Sequence, residues 1–323
     1  MTFSLVPQKE TPINLKRGSR LIRNSQVAQA LTILGDRWAF LIIRDVYQGA
    51  RKFEELRRLS GAARGTLTSR LQSLVNNGIL YRSPYRASPV RFEYRLTDKG
   101  LDLYPIVIAV WAWEVRWGEG EQIPPEIVHR VCGASMQPVF RCKQCKGAVH
   151  IDDCDYVANV GAAETRDVPA GIQRRSRNRG KLDYCVDQRF FHYLDVVGDR
   201  WTALVLAAAF FGLQRYDQIL ASIGMATNIL SDRLKLLVSA GVLKRVQYKD
   251  RPTRFEYHLS DKGRDLYLPT IALHEWANRW LIEKSERPIT VIHRPCGKEL
   301  VTEVVCDQCG GLLKPTDVSY AAD

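Results

Sequence analysis

One histidine and three cysteines recur twice in this chain at one spacing. The first set reads His129-x-x-Cys132, nine residues, then Cys142-x-x-Cys145. The second reads His293-x-x-Cys296, nine residues, then Cys306-x-x-Cys309. Two close pairs of soft donors suit a tetrahedral Cys3His zinc site, and four protein ligands close such a site, so its use is structural rather than catalytic. Gly133 and Gly297 follow the first pairs and Gly147 and Gly310 the second, as tight ligand turns tend to need. The expectation is a small zinc-ribbon-like element in each copy, two Zn2+ per chain. The competing readings are disulfides, which a cytoplasmic chain disfavours, and plain buried thiols, which leave the repeated spacing unexplained. Cys154 and Cys185 are left over as free thiols.

The elements that carry these sets are themselves written twice. Gly35-Asp36-Arg37-Trp38 returns as Gly198-Asp199-Arg200-Trp201, and Arg91-Phe92-Glu93-Tyr94 as Arg254-Phe255-Glu256-Tyr257. Leu67, Arg70, Leu71, Leu74 and Gly78 meet identical residues in Leu230, Arg233, Leu234, Leu237 and Gly241, with no gap between. So long a match means two copies of one folded unit.

Within the first copy, Val27, Ala28, Ala30, Leu31 and Leu34 fall at helical spacing ended by Gly35. Asp36 can cap a second helix, and Phe53, Leu56 and Leu59 make a short third. Leu67, Leu71, Leu74 and Val75 then form one stripe of a helix ending at Gly78, whose other face offers Thr66, Ser69, Arg70, Gln72 and Ser73. Residues 79–82 and 91–96 read as two strands around a loop holding Pro84, Arg86 and Pro89. A helix-turn-helix followed by a hairpin with a basic tip is a winged helix. Thr97 or Asp98 then caps one long helix, whose Trp111, Trp113 and Trp117 make it too apolar to face water all round. Leu273, Trp276 and Trp280 repeat that surplus, so the two long helices are expected to bury it against each other.

This order of motifs resembles the HxlR-type winged-helix transcriptional regulators of bacteria over about 22–117 and 185–280. The resemblance implies pairing through first and last helices, the second helix-turn-helix helix in the major groove, and the wing along the backbone or minor groove. Carried over by position, the recognition helices are 64–76 and 227–239. Their implied DNA-binding residues are Arg64, Thr66, Thr68, Ser69 and Gln72 in the first copy, and Thr227, Asn228, Ser231 and Lys235 in the second. The wing cations are Arg86 and Arg91, with Lys249, Arg251 and Arg254. Many members carry Ser at the recognition-helix cap, where this chain has Ala63 and Ala226. Redox-sensing members place a Cys where this chain has Ser25 and Gln188. For Arg70 and Arg233, an ion pair that holds the helix is favoured over a phosphate contact.

The charge is uneven. Residues 1–150 hold 23 Lys+Arg against 12 Asp+Glu, and residues 183–323 hold 18 against 18. A basic half favours a polyanionic partner, and the neutral half leaves room for one copy gripping DNA more strongly. No phosphate-cradling glycine loop, Ser-His-Asp order or carboxylate pair points to an enzyme. No leader segment or bilayer-length apolar run is evident, so a cytoplasmic protein is expected, nucleoid-associated when on DNA. The expected fold class is mainly α with small β wings (α+β). The expected order is a basic arm 1–21, winged helix 22–120, zinc element 121–150, linker 151–182, winged helix 183–284, then zinc element and tail 285–323. The expected function is sequence-specific double-stranded DNA binding by a transcriptional regulator, a repressor before an activator, as an intramolecular pseudo-dimer with scope for further homo-dimerisation. The alternative is a protein-interaction module built on winged helices.

Overall fold

Capping residues set the helix boundaries. In the computed structural model, which describes residues 21–118, 126–159, 161–162 and 190–320, Ser25 accepts the Ala28 N–H and opens α1 (Gln26–Leu34). Asp36 takes the N–H groups of Trp38 and Ala39 at 2.9 and 3.0 Å to open α2 (Arg37–Tyr47). α3 (Phe53–Ser60) ends on left-handed Gly61, and α4 (Arg64–Asn76) starts at Ala63 without a side-chain cap. β1 (Leu80–Ala87) and β2 (Val90–Leu96) pair antiparallel as the wing. The arm up to residue 20, the basic run 174–181 and Cys185 lie outside the described residues.

The expected long helix is two. Thr97 caps α5 (Asp98–Leu101), and the chain restarts as α6 (Tyr104–Trp117) with Pro105 in its first turn. Proline has no N–H to continue the preceding helix and its ring crowds the previous turn, which is why the break falls there.

The second copy repeats this as α7 (Phe191–Val197), α8 (Arg200–Phe210), α9 (Tyr216–Ile223) and α10 (Thr227–Ser239). The wing strands β7 (Leu243–Asp250) and β8 (Thr253–Leu259), then α11 (Asp261–Asp265) and α12 (Tyr267–Trp280), complete it. No helix among the described residues is long and apolar enough to cross a membrane.

The copies pack on each other reciprocally. α1 lies on α12, α7 lies on α6, and α6 and α12 cross. Trp113 Nε1 donates to the Lys262 carbonyl at 3.0 Å, and its counterpart Trp276 donates to the Lys99 carbonyl at 2.9 Å. Trp117 and Trp280 donate to the carboxylates of Asp265 and Asp102 in the same crossed sense. Trp113 and Trp276 are buried, each worth roughly 1.5–3 kcal/mol by area alone. Glu114, also buried, accepts the Tyr193 N–H at 2.6 Å, and burial pushes its carboxyl up to about 7. The core runs without interruption through both copies.

Beyond α6 and α12 the copies interleave. β3 (Ile127–His129) pairs with β4 (Ala134–Met136) of its own copy and with β12 (Val318–Tyr320) of the other. β9 (Ile289–His293) pairs with β10 (Lys298–Glu299) and with β6 (Cys154–Ala158). β5 (Pro138–Cys142) pairs with β11 (Thr302–Cys306). Residues 151–158, expected to open the linker, are therefore a 3-10 turn and a strand completing the other copy's sheet. The expectation of one self-contained Cys3His element behind each winged helix is corrected too: each element is finished by strands from the other copy.

Candidate nucleic-acid interface and metal centres

The helices to which the resemblance assigns recognition bury matching stripes, Leu67, Leu71 and Leu74 in α4 and Leu230, Arg233, Leu234 and Leu237 in α10. What remains outermost is Gly65, Ser69, Gln72 and Asn76 in one copy, and Asn228, Asp232, Lys235 and Ser239 in the other, all exposed. Gly65, Asn76, Asp232 and Ser239 are not among the expected DNA-binding residues, but steps of four, three and four along each helix place them on the same stripe. Gln72 Nε2 donates to Asn76 Oδ1 at 2.7 Å, so these two side chains form one polar unit. Asp232 has no hydrogen-bond or ion-pair partner among the described residues.

The other candidates divide. Thr68 is exposed but returns its hydroxyl to the Arg64 carbonyl at 2.9 Å, and Thr66 is only half-exposed. Arg64, exposed, pairs with Glu54 at 2.7 Å and lies over the Phe53 ring. Thr227 is exposed at the start of α10, its carbonyl accepting the Tyr216 hydroxyl, which also lies 3.3 Å from Ser231 Oγ. Arg70 and Arg233 are structural: they pair with Asp36 at 2.7 Å and Asp199 at 3.1 Å, the carboxylates that cap α2 and α8. Asp36 and Asp199 form an antiparallel bridge, so each recognition helix is tied to the junction of the copies.

The wings carry a charge pattern that folding alone does not favour. Arg86 stands directly opposite Arg91 across the strand pair, and Lys249 opposite Arg254. Like charges in register repel and cost stability. Arg86, Arg91, Lys249, Arg251 and Arg254 are exposed, with no carboxylate partner among the described residues. Arg86 does give its Nε to the Ser88 carbonyl at 3.0 Å. The second wing holds five cations and two carboxylates, the first four and one, so both wings are equally basic although the halves are not.

Outside the winged helices, eight ligand-type residues gather into two clusters. They are His129, Cys132, Cys306 and Cys309, and Cys142, Cys145, His293 and Cys296, with the ligand atoms of each within 4.8 Å of one another. Each cluster thus joins the His-x-x-Cys of one copy to the Cys-x-x-Cys of the other, not the four of a single copy. The ladder of β5 with β11 is the reason: it sets the two Cys-x-x-Cys turns at opposite ends, each beside the other copy's histidine. His129 Nδ1 lies 3.4 Å from Cys132 Sγ and 3.3 Å from Cys309 Sγ, and Cys132 Sγ lies 3.9 Å from Cys306 Sγ. In the second cluster His293 Nδ1 lies 3.3 Å from Cys145 Sγ and 3.5 Å from Cys296 Sγ.

Those separations fit a metal. Zinc bonds of about 2.3 Å to sulfur and about 2.0–2.1 Å to nitrogen, set tetrahedrally, place N and S about 3.5 Å and two S about 3.8 Å apart. Both His Nε2 atoms are buried without a hydrogen-bond partner among the described residues, and the polar contacts of each imidazole lie on the Nδ1 side, towards the thiols. The Ala134 N–H lowers the Cys132 thiol to about 7, with His129 adding to it, while burial raises Cys306. The turns use Gly133, Gly297 and Gly310 in the left-handed region, but Lys146 occupies that position where Gly147 was expected. Gly311 instead leaves space: a Cβ there would press on Cys309 Sγ and the His129 ring at 3.3 Å. Cys154 is a separate buried thiol, pushed up to about 11 by burial.

Comparison with known proteins adds three findings. A family model described as HxlR-like helix-turn-helix matches residues 33–122 and 196–285. An uncharacterized HTH-type transcriptional regulator of Mycobacterium bovis is 38% identical over 126 residues, covering 39% of this chain and 80% of that protein. Another, YvaP of Bacillus subtilis, is 36% identical over 94 residues, 29% of this chain and 87% of that one. Among solved structures, a Pseudomonas aeruginosa chain described as a transcription factor matches with TM-score 0.33 and 29% identity, over 41% of this chain and 89% of that one.

Proposed function

The chain belongs to the HxlR-like helix-turn-helix family, and on that premise we propose that it is a sequence-specific double-stranded DNA-binding transcriptional regulator. It works as an intramolecular pseudo-dimer and represses by occupying its site. The observation that carries this is the pair of wings, each with facing cations that lack carboxylate partners among the described residues. Such a surface is costly to fold and is relieved when phosphates neutralise it and release counterions. The polar stripes of α4 and α10 supply donors and acceptors suited to base edges, and the Arg70–Asp36 and Arg233–Asp199 pairs support a fixed relation between them. Because the stripes differ, the operator is an asymmetric pair of half-sites. Both Cys3His clusters hold structural zinc.

Selection of bound sequences from random duplex, followed by salt titration of the winning sequence, tests this. The expected result is two unlike half-sites about one helical turn apart, and affinity that falls steeply with salt, with a slope of about −0.9 per phosphate neutralised. A flat salt response with no enriched sequence would replace this reading with that of a protein-interaction module.

A further inference from the structure

Zinc sites closed inside each copy would stiffen the copies separately. The exchanged ligands do something else. We propose that the two Cys3His clusters are inter-copy staples: each takes one divalent metal ion only when both halves are in place, and loading them fastens the second winged helix to the first. This goes beyond DNA recognition and does not depend on it.

Three independent features support the staple. Each cluster draws two ligands from either side of the linker, with separations suited to a tetrahedral ion. The ladder between them is itself made of one strand from each copy and is braced by cross-copy ion pairs, Arg141 and Lys146 both holding Glu303 at 2.6 and 2.8 Å. That ladder is anchored to the closing helix of the second copy, since Glu275 on α12 accepts both the N–H and the hydroxyl of Thr302 at 2.7 and 2.5 Å. The same helix carries Trp276, whose indole bonds the first copy. A metal bound at either cluster therefore acts on the contact that sets the two winged helices. A set of three thiols and one imidazole favours zinc among abundant divalent ions, and cobalt(II) can replace it as a coloured tetrahedral probe.

Pairs of substitutions in the full chain separate the exchanged from the in-copy arrangement. Cys132→Ser with Cys309→Ser removes two ligands of one cluster, and Cys145→Ser with Cys296→Ser two of the other. Cys132→Ser with Cys145→Ser touches both clusters but only one copy. Cys132, Cys145 and Cys309 are exposed and Cys296 is half-exposed, so these changes spare the core. Zinc content and cobalt(II) thiolate absorption, read on reduced protein with circular dichroism as a folding check, should give two ions in the parent. The first two variants should keep one ion each, and the third none. Amide exchange should quicken in residues 127–136 and 302–313 together for the first variant, since one lost ion loosens both copies. The reversed pattern, one ion kept by Cys132→Ser/Cys145→Ser and none by the other two, overturns the exchange. A parent chain without metal overturns the sites altogether.

Discussion

The two copies share a scaffold and differ where they face outward. Positions that hold geometry are identical: Asp36 and Asp199 cap, Arg70 and Arg233 tie the recognition helix to the junction, Trp113 and Trp276 cross between copies. Positions that face out have diverged, from Gly65, Ser69 and Gln72 to Asn228, Asp232 and Lys235. Net charge misleads here. The second half is neutral overall, yet its wing is as basic as the first, because its carboxylates sit elsewhere or are paired within the fold, as Glu256 is with Arg215. Local placement, not the sum over a domain, decides what a surface can bind.

The largest effects should come from the wings, and they test whether the copies are equal partners. Arg86→Ala with Arg91→Ala, and separately Lys249→Ala with Arg254→Ala, should each lower duplex affinity at least about tenfold and flatten the salt slope by about two. Fluorescence anisotropy at several salt concentrations measures both. A loss confined to the first pair would restore the unequal grip that net charge implies.

A difference of another kind is expected in stability. The Arg233 side chain is 9% exposed and the Arg70 side chain 34%, though both hold the same kind of capping carboxylate. Arg233→Ala should cost roughly 2–3 kcal/mol and Arg70→Ala about 1 kcal/mol, because water screens the second pair. Urea unfolding of the two variants checks this, and equal costs would mean that burial does not separate the copies.

The finest contrast lies in the stripes. Asp232→Ser gives α10 the residue that α4 has at Ser69. It should shift base preference in one half-site, away from cytosine, by about 1 kcal/mol of discrimination while leaving the other half-site alone. Repeating the sequence selection with this variant shows which half changes; movement in both halves would contradict independent reading.

Much of this arrangement can be read from the chain. The gapless repeat, the Asp caps and the glycine stops give the winged helices, because those signals act within a few residues of where they lie. The eight ligand-type residues are equally visible, since each His-x-x-Cys and Cys-x-x-Cys is one turn. Their grouping is not, because one turn fits either partner and only the pairing of β5 with β11 chooses. Residues 151–158 escape for the same reason: an acidic start reads as linker, while the strand at Cys154–Ala158 exists only against Ile289–His293. The break before α6 was legible in Pro105 and was outweighed by the long apolar run around it.

The strand exchange also fixes an order of events during synthesis. When Cys145 leaves the ribosome, both first-copy ligand pairs are present and neither can be completed, for their partners lie about 160 residues further on. At about 5–20 residues per second that delay is roughly 8–30 s, during which four ligands wait unpaired. The first copy's α2, α3 and α4, which pack on one another, have time to form before the strand Val318–Tyr320 arrives beside Ile127–His129. Closure of the molecule is therefore held back until the strands of the second copy have been made.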